Sequence, residues 1–390
     1  MKKLLTACFV LMGSFFLQTE RNAEKYLILK ATKLRFLKTI LSIFFLFVSV
    51  QLPCESNRVV LVTGGAGYIG SHTCKALREA GFIPVTYDSL RFGSKESVQW
   101  GPLVIGDLLD TEALDRVFTR YKPCAVLHFA ALRNVGESVQ DPSSYYTNNV
   151  VGSINLLNAM LKHQVKNIIF SSSCTVYGNC PESPISEEQH EAPTNPYAMS
   201  KRVVERAIMD YAHAHPFQYM ILRYFNAAGV EIEAGLKRSS HSCSFLIPRA
   251  MLAILHPDRP LQIFGSNYPT PDGTCIRDYI HVKDLARAHV MALQHLQEGK
   301  ASTAINLGTG TGYSVWQILQ AIEKMIGKKV PYELKSRREG DVPEAVASIK
   351  KAQCILGFEP HYSDLETIIT SEWAAISDEH TPQDTTKKMK

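Results

Sequence analysis

The sequence predicts an α/β fold: a doubly wound parallel sheet with helices on both faces and a smaller, interleaved C-terminal lobe. Three observations predict it. Short apolar runs recur at 58–63, 84–87, 103–105, 124–129, 167–170 and 219–224. Helix-length segments separate most of them, the alternation that produces a buried parallel sheet. The first run ends in a glycine cluster that opens a helix spanning Ser71–Ala80, a strand–turn–helix unit suited to ligand binding. After Asn226 the rhythm breaks into a loop with Gly, Ser and Pro and resumes at Ala304–Leu307, so part of the sheet returns late. A chain of 390 residues accommodates one large α/β domain plus a smaller one.

Composition narrows the class. Apolar residues make up 45% and charged residues 20%, ordinary globular usage that excludes collagen, mucin and coiled-coil readings. The net charge of +5 is concentrated at the start, where residues 1–58 hold nine Lys/Arg against three Asp/Glu and leave residues 59–390 at −1. The body therefore has no global bias toward nucleic acid. Nine cysteines occur without a CxxC pair and with no His at zinc-ligand spacing, so no metal site is expected. They read as reduced thiols of a cytosolic fold, several of them small hydrophobes inside apolar strands.

The first 56 residues differ from the rest. Met1-Lys2-Lys3 precedes an apolar run from Leu4 to Leu17, and a second run from Ile40 to Leu52 follows Lys30, Lys33, Arg35 and Lys38. Each has the layout of a charged n-region and an apolar h-region, and both fall short of the ~20 residues a spanning helix needs. Three readings stay open: a targeting leader or membrane anchor, a stretch upstream of the true start, or a helical extension.

Chemistry is carried first by Thr63-Gly64-Gly65-Ala66-Gly67-Tyr68-Ile69-Gly70, directly after the first strand. Gly64 and Gly67 allow a tight turn and close approach to a pyrophosphate, Gly70 allows close helix–strand packing, and the helix N-terminus supplies N–H donors. A glycine turn without a ligand is the bland alternative, which the strand–turn–helix context argues against. Asp88 stands 24 residues beyond Gly64, at the end of the second strand. A carboxylate there binds ribose hydroxyls and repels a 2′-phosphate, which favours NAD over NADP and a Rossmann-type NAD-binding domain. Tyr197 and Lys201 are four residues apart, hence on one helix face, behind a capping Asn195-Pro196. The ammonium is expected to lower the phenol's pKa so that it serves as a base. Tyr26/Lys30 and Tyr279/Lys283 share the spacing, but only the pair at 197/201 follows a strand ending in Ser171-Ser172-Ser173.

With these segments together, the chain resembles the extended short-chain dehydrogenase/reductase family, and within it the UDP-glucose 4-epimerases. The carrying stretches are 62–72, 129–138, 148–150, 171–178, 195–201, 223–229, 263–282 and 338–341. The resemblance implies that Tyr197 is the base, that Lys201 tunes it and holds the nicotinamide ribose, and that Ser173 hydrogen-bonds the sugar hydroxyl being oxidised. It implies that Asp107 and Leu108 flank the adenine, and that Tyr68, Ile69, Phe129 and Asn149 lie along bound NAD. Asn226, Arg277, Arg338 and Asp341 are implied to contact the nucleotide half of a UDP-sugar, the arginines neutralising its diphosphate.

The implied reaction is reversible 4-epimerisation of UDP-glucose and UDP-galactose through a 4-keto sugar with tightly bound NAD, in a homodimer. The expected organisation is an extension over 1–56, an NAD-binding domain over 57–230, a mainly nucleotide-sugar-binding lobe with returning sheet segments over 231–375, and a polar tail over 376–390. Membrane association would come only from residues 1–56, the catalytic body being cytoplasmic. Departures from the family pattern are Arg133 for Lys, Ser89 for Asn, and Phe245 for Asn or His. Ala345 occupies a position whose size in the family governs entry of an N-acetyl group, which implies that UDP-N-acetylhexosamines also fit. The rivals are a 4,6-dehydratase, a UDP-glucuronate epimerase or decarboxylase, and a non-catalytic NAD sensor. The dehydratases carry Asp-Glu where Cys174-Thr175 stand here.

Overall fold

The computed structural model describes residues 58–180, 182–236, 245–338 and 340–380. The expectations for residues 1–56 lie outside these, as do residues 381–390. Among the described residues no helix is long and apolar enough to cross a membrane.

Seven parallel strands form the main sheet: β1 (Val59–Thr63), β2 (Ile83–Asp88), β3 (Leu103–Ile105), β4 (Ala125–His128), β5 (Asn167–Ser173), β6 (Gln218–Tyr224) and, returning late, β10 (Thr303–Leu307). Their order is β10-β6-β5-β4-β1-β2-β3. The sequence runs thus place every strand of this sheet, with ends shifted by a few residues. Alternation along β1 explains why it is apolar throughout: Val60 and Val62 enter one core, while Leu61 enters the other, so both faces of the sheet are covered.

One face carries helices α1 (Tyr68–Glu79) and α6 (Val282–Gln297), which pack on each other. The other carries α2 (Thr111–Tyr121), α3 (Gly152–Lys162) and α4 (Pro196–Ala214). Helix α1 begins at Tyr68, three residues before the expected start, because Gly67 is extended (ψ 177°) and the chain turns helical immediately after it. Gly70 therefore lies within the first turn.

The second lobe is built on α5 (Leu246–Leu255), α7 (Val315–Ile326) and α9 (Leu365–His380), which enclose a third apolar core. A short helix, α8 (Lys350–Leu356), packs back against β10. Strand β9 (Ile276–His281) is flanked in parallel by β7 (Asn226–Ala228) and β13 (Glu344–Ala345) and in antiparallel by β11 (Gly312–Ser314). A separate parallel pair joins β8 (Leu261–Phe264) to β12 (Tyr332–Lys335).

The cysteine expectation needs one correction. Cys74, Cys124, Cys174, Cys180, Cys275 and Cys354 are free thiols, yet none lies inside a strand. Cys74 is in α1, and Cys124, Cys174 and Cys275 flank strand ends, where the apolar run includes a residue that the ladder does not.

Candidate active site

Strands β1 and β4 are neighbours whose following segments diverge, so a crevice opens at their carboxyl ends. The glycine turn lines it. Gly64 has φ +73°, and a Cβ there would stand 2.7 Å from the Ala130 nitrogen. At Gly70 a Cβ would stand 2.2 Å from the Gly64 carbonyl oxygen. Both glycines are thus required by backbone approaching backbone. Gly67 differs, because its Cβ would meet only the Gly64 oxygen, at 3.2 Å. The ground before α1 is open there. That helix start has no side-chain cap and no acidic residue in its first turn, leaving its N–H donors and positive dipole end for an anion.

Asp88 closes one side of the turn. Its Oδ2 accepts from the Ala66 N–H at 3.0 Å and its Oδ1 from the Leu90 N–H at 2.8 Å. Burial pushes the carboxyl up, while those N–H groups pull it back. Each oxygen has a further lone pair with which to accept from a hydroxyl. An open phosphate cradle with a carboxylate beside it fits a dinucleotide.

The other proposed cofactor residues surround this crevice. Tyr68 donates to the Gly229 carbonyl at 2.5 Å and ties α1 to the second lobe, while Ile69 packs against the core. Tyr87 donates to the Asp107 carbonyl at 2.8 Å, and the Asp107 carboxylate accepts from the Leu109 N–H at 2.9 Å. Leu108 is buried, and its carbonyl accepts from Asn155 at 3.1 Å. Phe129 packs on His289 with centroids 4.7 Å apart. Asn149 lies in a π-helical turn, Tyr146–Val151, a local widening often found at functional sites. Its side chain accepts from the Leu132 N–H at 2.8 Å and donates to the Leu132 carbonyl and Ser200 Oγ, both at 3.0 Å. Asn149 thus braces the loop after β4.

Helix α4 begins as the sequence predicts, with Asn195 Oδ1 accepting from the Ala198 N–H at 2.9 Å and Pro196 as its first residue. This cap fixes Tyr197 in the first turn and Lys201 one turn later. Tyr197 lies beside Ser173 at the end of β5, whose hydroxyl lowers the phenol's pKa. Ser173 Oγ already accepts from the Thr175 N–H at 3.2 Å and from Thr175 Oγ1 at 3.0 Å. With its two acceptor positions used, the Ser173 hydroxyl has its proton to give, and both the phenol and the Cys174 thiol are lowered by it.

Lys201 behaves differently from the expectation. Desolvation pushes Tyr197 up to about 12, opposed by the Ser173 hydroxyl and the charge of Arg133. Desolvation likewise brings Lys201 down to about 7, opposed by Glu205. Lys201 Nζ donates to the Ser171 carbonyl at 2.7 Å and sits 4.9 Å from the Phe170 ring centroid. Burial thus pushes both groups toward their neutral forms in the protein alone.

The residues expected on the substrate side lie on β7, on β9 and on the segment between β12 and β13. Arg277 acts on the Cys174 thiol, next to Ser173. Arg277 also donates to the Ile276 carbonyl at 2.8 Å and lies opposite Ala345 in the β9–β13 register. Asn226 donates to the Asp278 carbonyl at 2.9 Å. Arg338 stacks 4.1 Å from the Phe264 centroid and faces Asp341 at 3.7 Å. Arg277, Arg338 and Asp341 all act on Cys275, which brings the three charges to one neighbourhood. Ser89 is remote from these contacts, its hydroxyl accepting weakly from the Arg91 N–H at 3.5 Å.

Sequence reasoning missed the support beneath the centre. Glu205, one turn beyond Lys201, receives two hydrogen bonds from Arg223, at 3.0 and 2.7 Å, and one from Ser172 at 2.5 Å. Arg223 also donates to Tyr177 at 3.0 Å and to Glu191, and Tyr177 donates to Asn306 at 2.7 Å. The available signal was the Tyr197–Lys201–Glu205 spacing, which continues one helix face by another four residues.

A dinucleotide cradle and a Ser–Tyr–Lys set at the carboxyl end of one parallel sheet define an enzyme of the nucleotide-cofactor-dependent dehydrogenase/reductase class. The chain belongs to the NAD dependent epimerase/dehydratase family, whose model matches residues 60–308. It is 46% identical over 327 residues to a UDP-glucose 4-epimerase of Rhizobium leguminosarum bv. trifolii, covering 83% of this chain and 100% of that one. Among solved structures, UDP-glucose 4-epimerase from Brucella ovis in complex with NAD superposes with a TM-score of 0.79 at 48% identity, covering 81% of this chain and 98% of that one. The UDP-Glc/GlcNAc 4-epimerase of Campylobacter jejuni gives a TM-score of 0.72 at 36% identity, over 83% of this chain and 100% of that one.

Proposed function

We propose that this chain is an isomerase that interconverts UDP-glucose and UDP-galactose at carbon 4, through a transient 4-keto sugar and with tightly bound NAD. The observation that carries the reading is Tyr197 placed with Lys201 on one face of α4 beside Ser173 at the end of β5, next to a dinucleotide cradle, with the Arg277 charge felt at the neighbouring Cys174.

Bound NAD supplies a reversible hydride acceptor and a positively charged ring whose field favours a neighbouring phenolate. Tyr197 Oη would take the proton of the carbon-4 hydroxyl and, after the keto sugar has turned its other face to the site, return one to the carbon-4 oxygen. Ser173 orients that hydroxyl and stabilises the phenolate by donating to it. Lys201, with a pKa near 7, holds ribose hydroxyls and adjusts its charge as the phenol changes. Arg277 and Arg338 anchor the diphosphate, with Asn226 and Asp341 beside them, so the hexose turns about a fixed end.

A dehydratase needs an added acid and base next to Ser173. In their place stand the Cys174 thiol, pushed up to about 12 by desolvation, and Thr175, whose hydroxyl is given to Ser173. Neither performs that elimination.

Two finer points belong to the reading. Ala345 is small and buried in the cluster that includes Val176 and Tyr177 and touches Cys174, which supports acceptance of UDP-N-acetylhexosamines. Ala345→Tyr is expected to lower kcat/KM for UDP-N-acetylglucosamine about tenfold or more while changing that for UDP-glucose only a few-fold. Equal losses on both substrates would remove Ala345 from this role. The enzyme is also inferred to be a homodimer. Met199 and Val203 on α4, with Val139 and Tyr146 on segments packed beside it, are exposed and give such an interface apolar material.

The test uses the purified full chain. Heat-denatured protein is assayed for released NAD, and native protein is given UDP-galactose without added cofactor. Stoichiometric NAD and formation of UDP-glucose are expected. Bound NAD without conversion would overturn the substrate assignment, and absence of NAD would overturn retention of the cofactor.

A further inference from the structure

A second glycine-rich turn follows a strand of the main sheet. Gly308-Thr309-Gly310-Thr311-Gly312 comes directly after β10, a placement in which successive N–H groups can cradle an anion. Here the N–H groups of Thr309 and Gly310 are already given to an anion, and that anion is the protein's own. Asp278 of β9 is wholly buried. Its Oδ1 accepts from the Thr309 N–H at 2.9 Å and from Thr309 Oγ1 at 2.8 Å. Its Oδ2 accepts from the Gly310 N–H at 3.0 Å and from the Ala347 N–H at 3.1 Å, and shares the Thr309 N–H at 3.1 Å. Burial pushes the carboxyl up and these donors pull it back, the arrangement by which a charge is tolerated in an interior. The turn closes this tightly only on glycine. A Cβ at Gly308 would stand 2.5 Å from Asp278 Oδ2 and 2.6 Å from the Ala347 Cβ, and Gly310 has φ +78°.

Asp278 stands at a junction. On the main sheet Ser173, Tyr224 and Leu307 lie side by side in the β5–β6–β10 register. Gly308 follows Leu307 directly, so the turn begins two strand spacings, about 10 Å, from Ser173. On the other side, Arg277 precedes Asp278 in β9 and leaves the strand by the opposite face. Asn226 donates to the Asp278 carbonyl at 2.9 Å. Ala347, whose N–H is bound by the carboxylate, is two residues beyond Ala345. One residue thus ties the segments carrying Arg277, Asn226 and Ala345 to the strand ends that carry the reaction centre.

We propose that Asp278 is a positioning residue for the UDP-sugar: its carboxylate fills the nest of the Gly308–Gly312 turn and so sets Arg277, Asn226 and Ala345 against the sheet edge that bears Ser173. The proposal deepens the nucleotide-sugar reading and rests on it for the roles of those three residues. Wholly buried, Asp278 acts through them and not on the reacting atoms. The same contact explains why a glycine-rich turn after a parallel strand is not a second cofactor cradle, since its donors are spent within the fold.

The experiment compares Asp278→Asn, Thr309→Val and Thr309→Ser with wild type in the full chain, measuring UDP affinity by calorimetry, kcat and KM for UDP-galactose, and NAD released on denaturation. Asparagine sets an NH₂ group where N–H donors already point, so the turn parts from β9. Asp278→Asn is expected to weaken UDP binding and raise KM about tenfold, with kcat at saturation within about threefold of wild type and NAD retained. Thr309→Val removes one donor and is expected to change both quantities about two- to fivefold, and Thr309→Ser restores them. If Asp278→Asn does not fold, the Thr309 pair decides. UDP affinity and KM unmoved in the variants while the thermal midpoint falls, or kcat and NAD lost with KM unmoved, would overturn the positioning role. Wild type that binds no UDP would overturn the nucleotide-sugar reading and the proposal with it, whereas wild type that binds UDP beside unmoved variants overturns the proposal alone.

Discussion

Tyr197→Phe is expected to reduce conversion of UDP-galactose about 10²–10⁴-fold, the usual loss when a positioned general base is removed. The reason is local. The only atom deleted is the phenol oxygen that takes the carbon-4 proton, while the ring stays in the first turn of α4 under the Asn195 cap. Ser173 keeps both Thr175 donors and is only half-buried, so the cost of the lost phenol oxygen is small and the thermal midpoint should stay close to wild type. The cradle is untouched, and bound NAD, assayed after denaturation, should be retained in full. KM for the UDP-sugar should move little, because Arg277 and Arg338, the proposed diphosphate anchors, are unchanged. Turnover within about threefold of wild type would remove Tyr197 from the role of base. Loss of NAD together with activity would show instead that the ring supports the cofactor.

What made this prediction available from the sequence is the kind of signal that survives in one dimension. The glycine turn was legible because a strand, the glycines Gly64, Gly67 and Gly70, and an acid at the end of the next strand all fall within residues 58–88. Tyr197 and Lys201 were legible because helix periodicity and the Asn195-Pro196 start place both on one face. The main sheet followed from its apolar runs, and the late return of β10 from the interruption after Asn226. Properties that depend on burial or on pairing between distant elements were not legible. Spacing alone gave Lys201 control of the phenol, but desolvation acts on both groups and pushes each toward its neutral form. Taken singly, Arg133 is an imperfect replacement for a lysine and Phe245 a lost contact, and only the fold brings the cation to the ring. Glu205 and Arg223 showed no feature of their own, because an acid on a helix and a base on a strand are ordinary until both are found fully buried.

That buried pair yields the second large effect. Glu205 and Arg223 are 0% and 1% exposed, and two parallel hydrogen bonds join them at 3.0 and 2.7 Å. Arg223→Met is expected to cost about 3–5 kcal/mol, read as a drop in the urea midpoint, because it strands a carboxylate in the interior. The double replacement Arg223→Met with Glu205→Leu removes both charges and should recover most of the loss, even though it has two changes in the core. If the single variant loses less than about 1 kcal/mol, water or another donor reaches Glu205, and the pair does not fix this region. The consequence extends to the reaction centre through Lys201, one helical turn away, whose pKa Glu205 raises against desolvation. With Arg223 gone, Glu205 keeps the Ser172 hydrogen bond and Arg202 at 3.9 Å, and its charge draws harder on the Lys201 ammonium, whose pKa it already raises. Lys201 then stays charged to higher pH, and the limb of the pH profile that follows Lys201 is expected to move upward in Arg223→Met. An unmoved limb would show that the pair acts on stability alone.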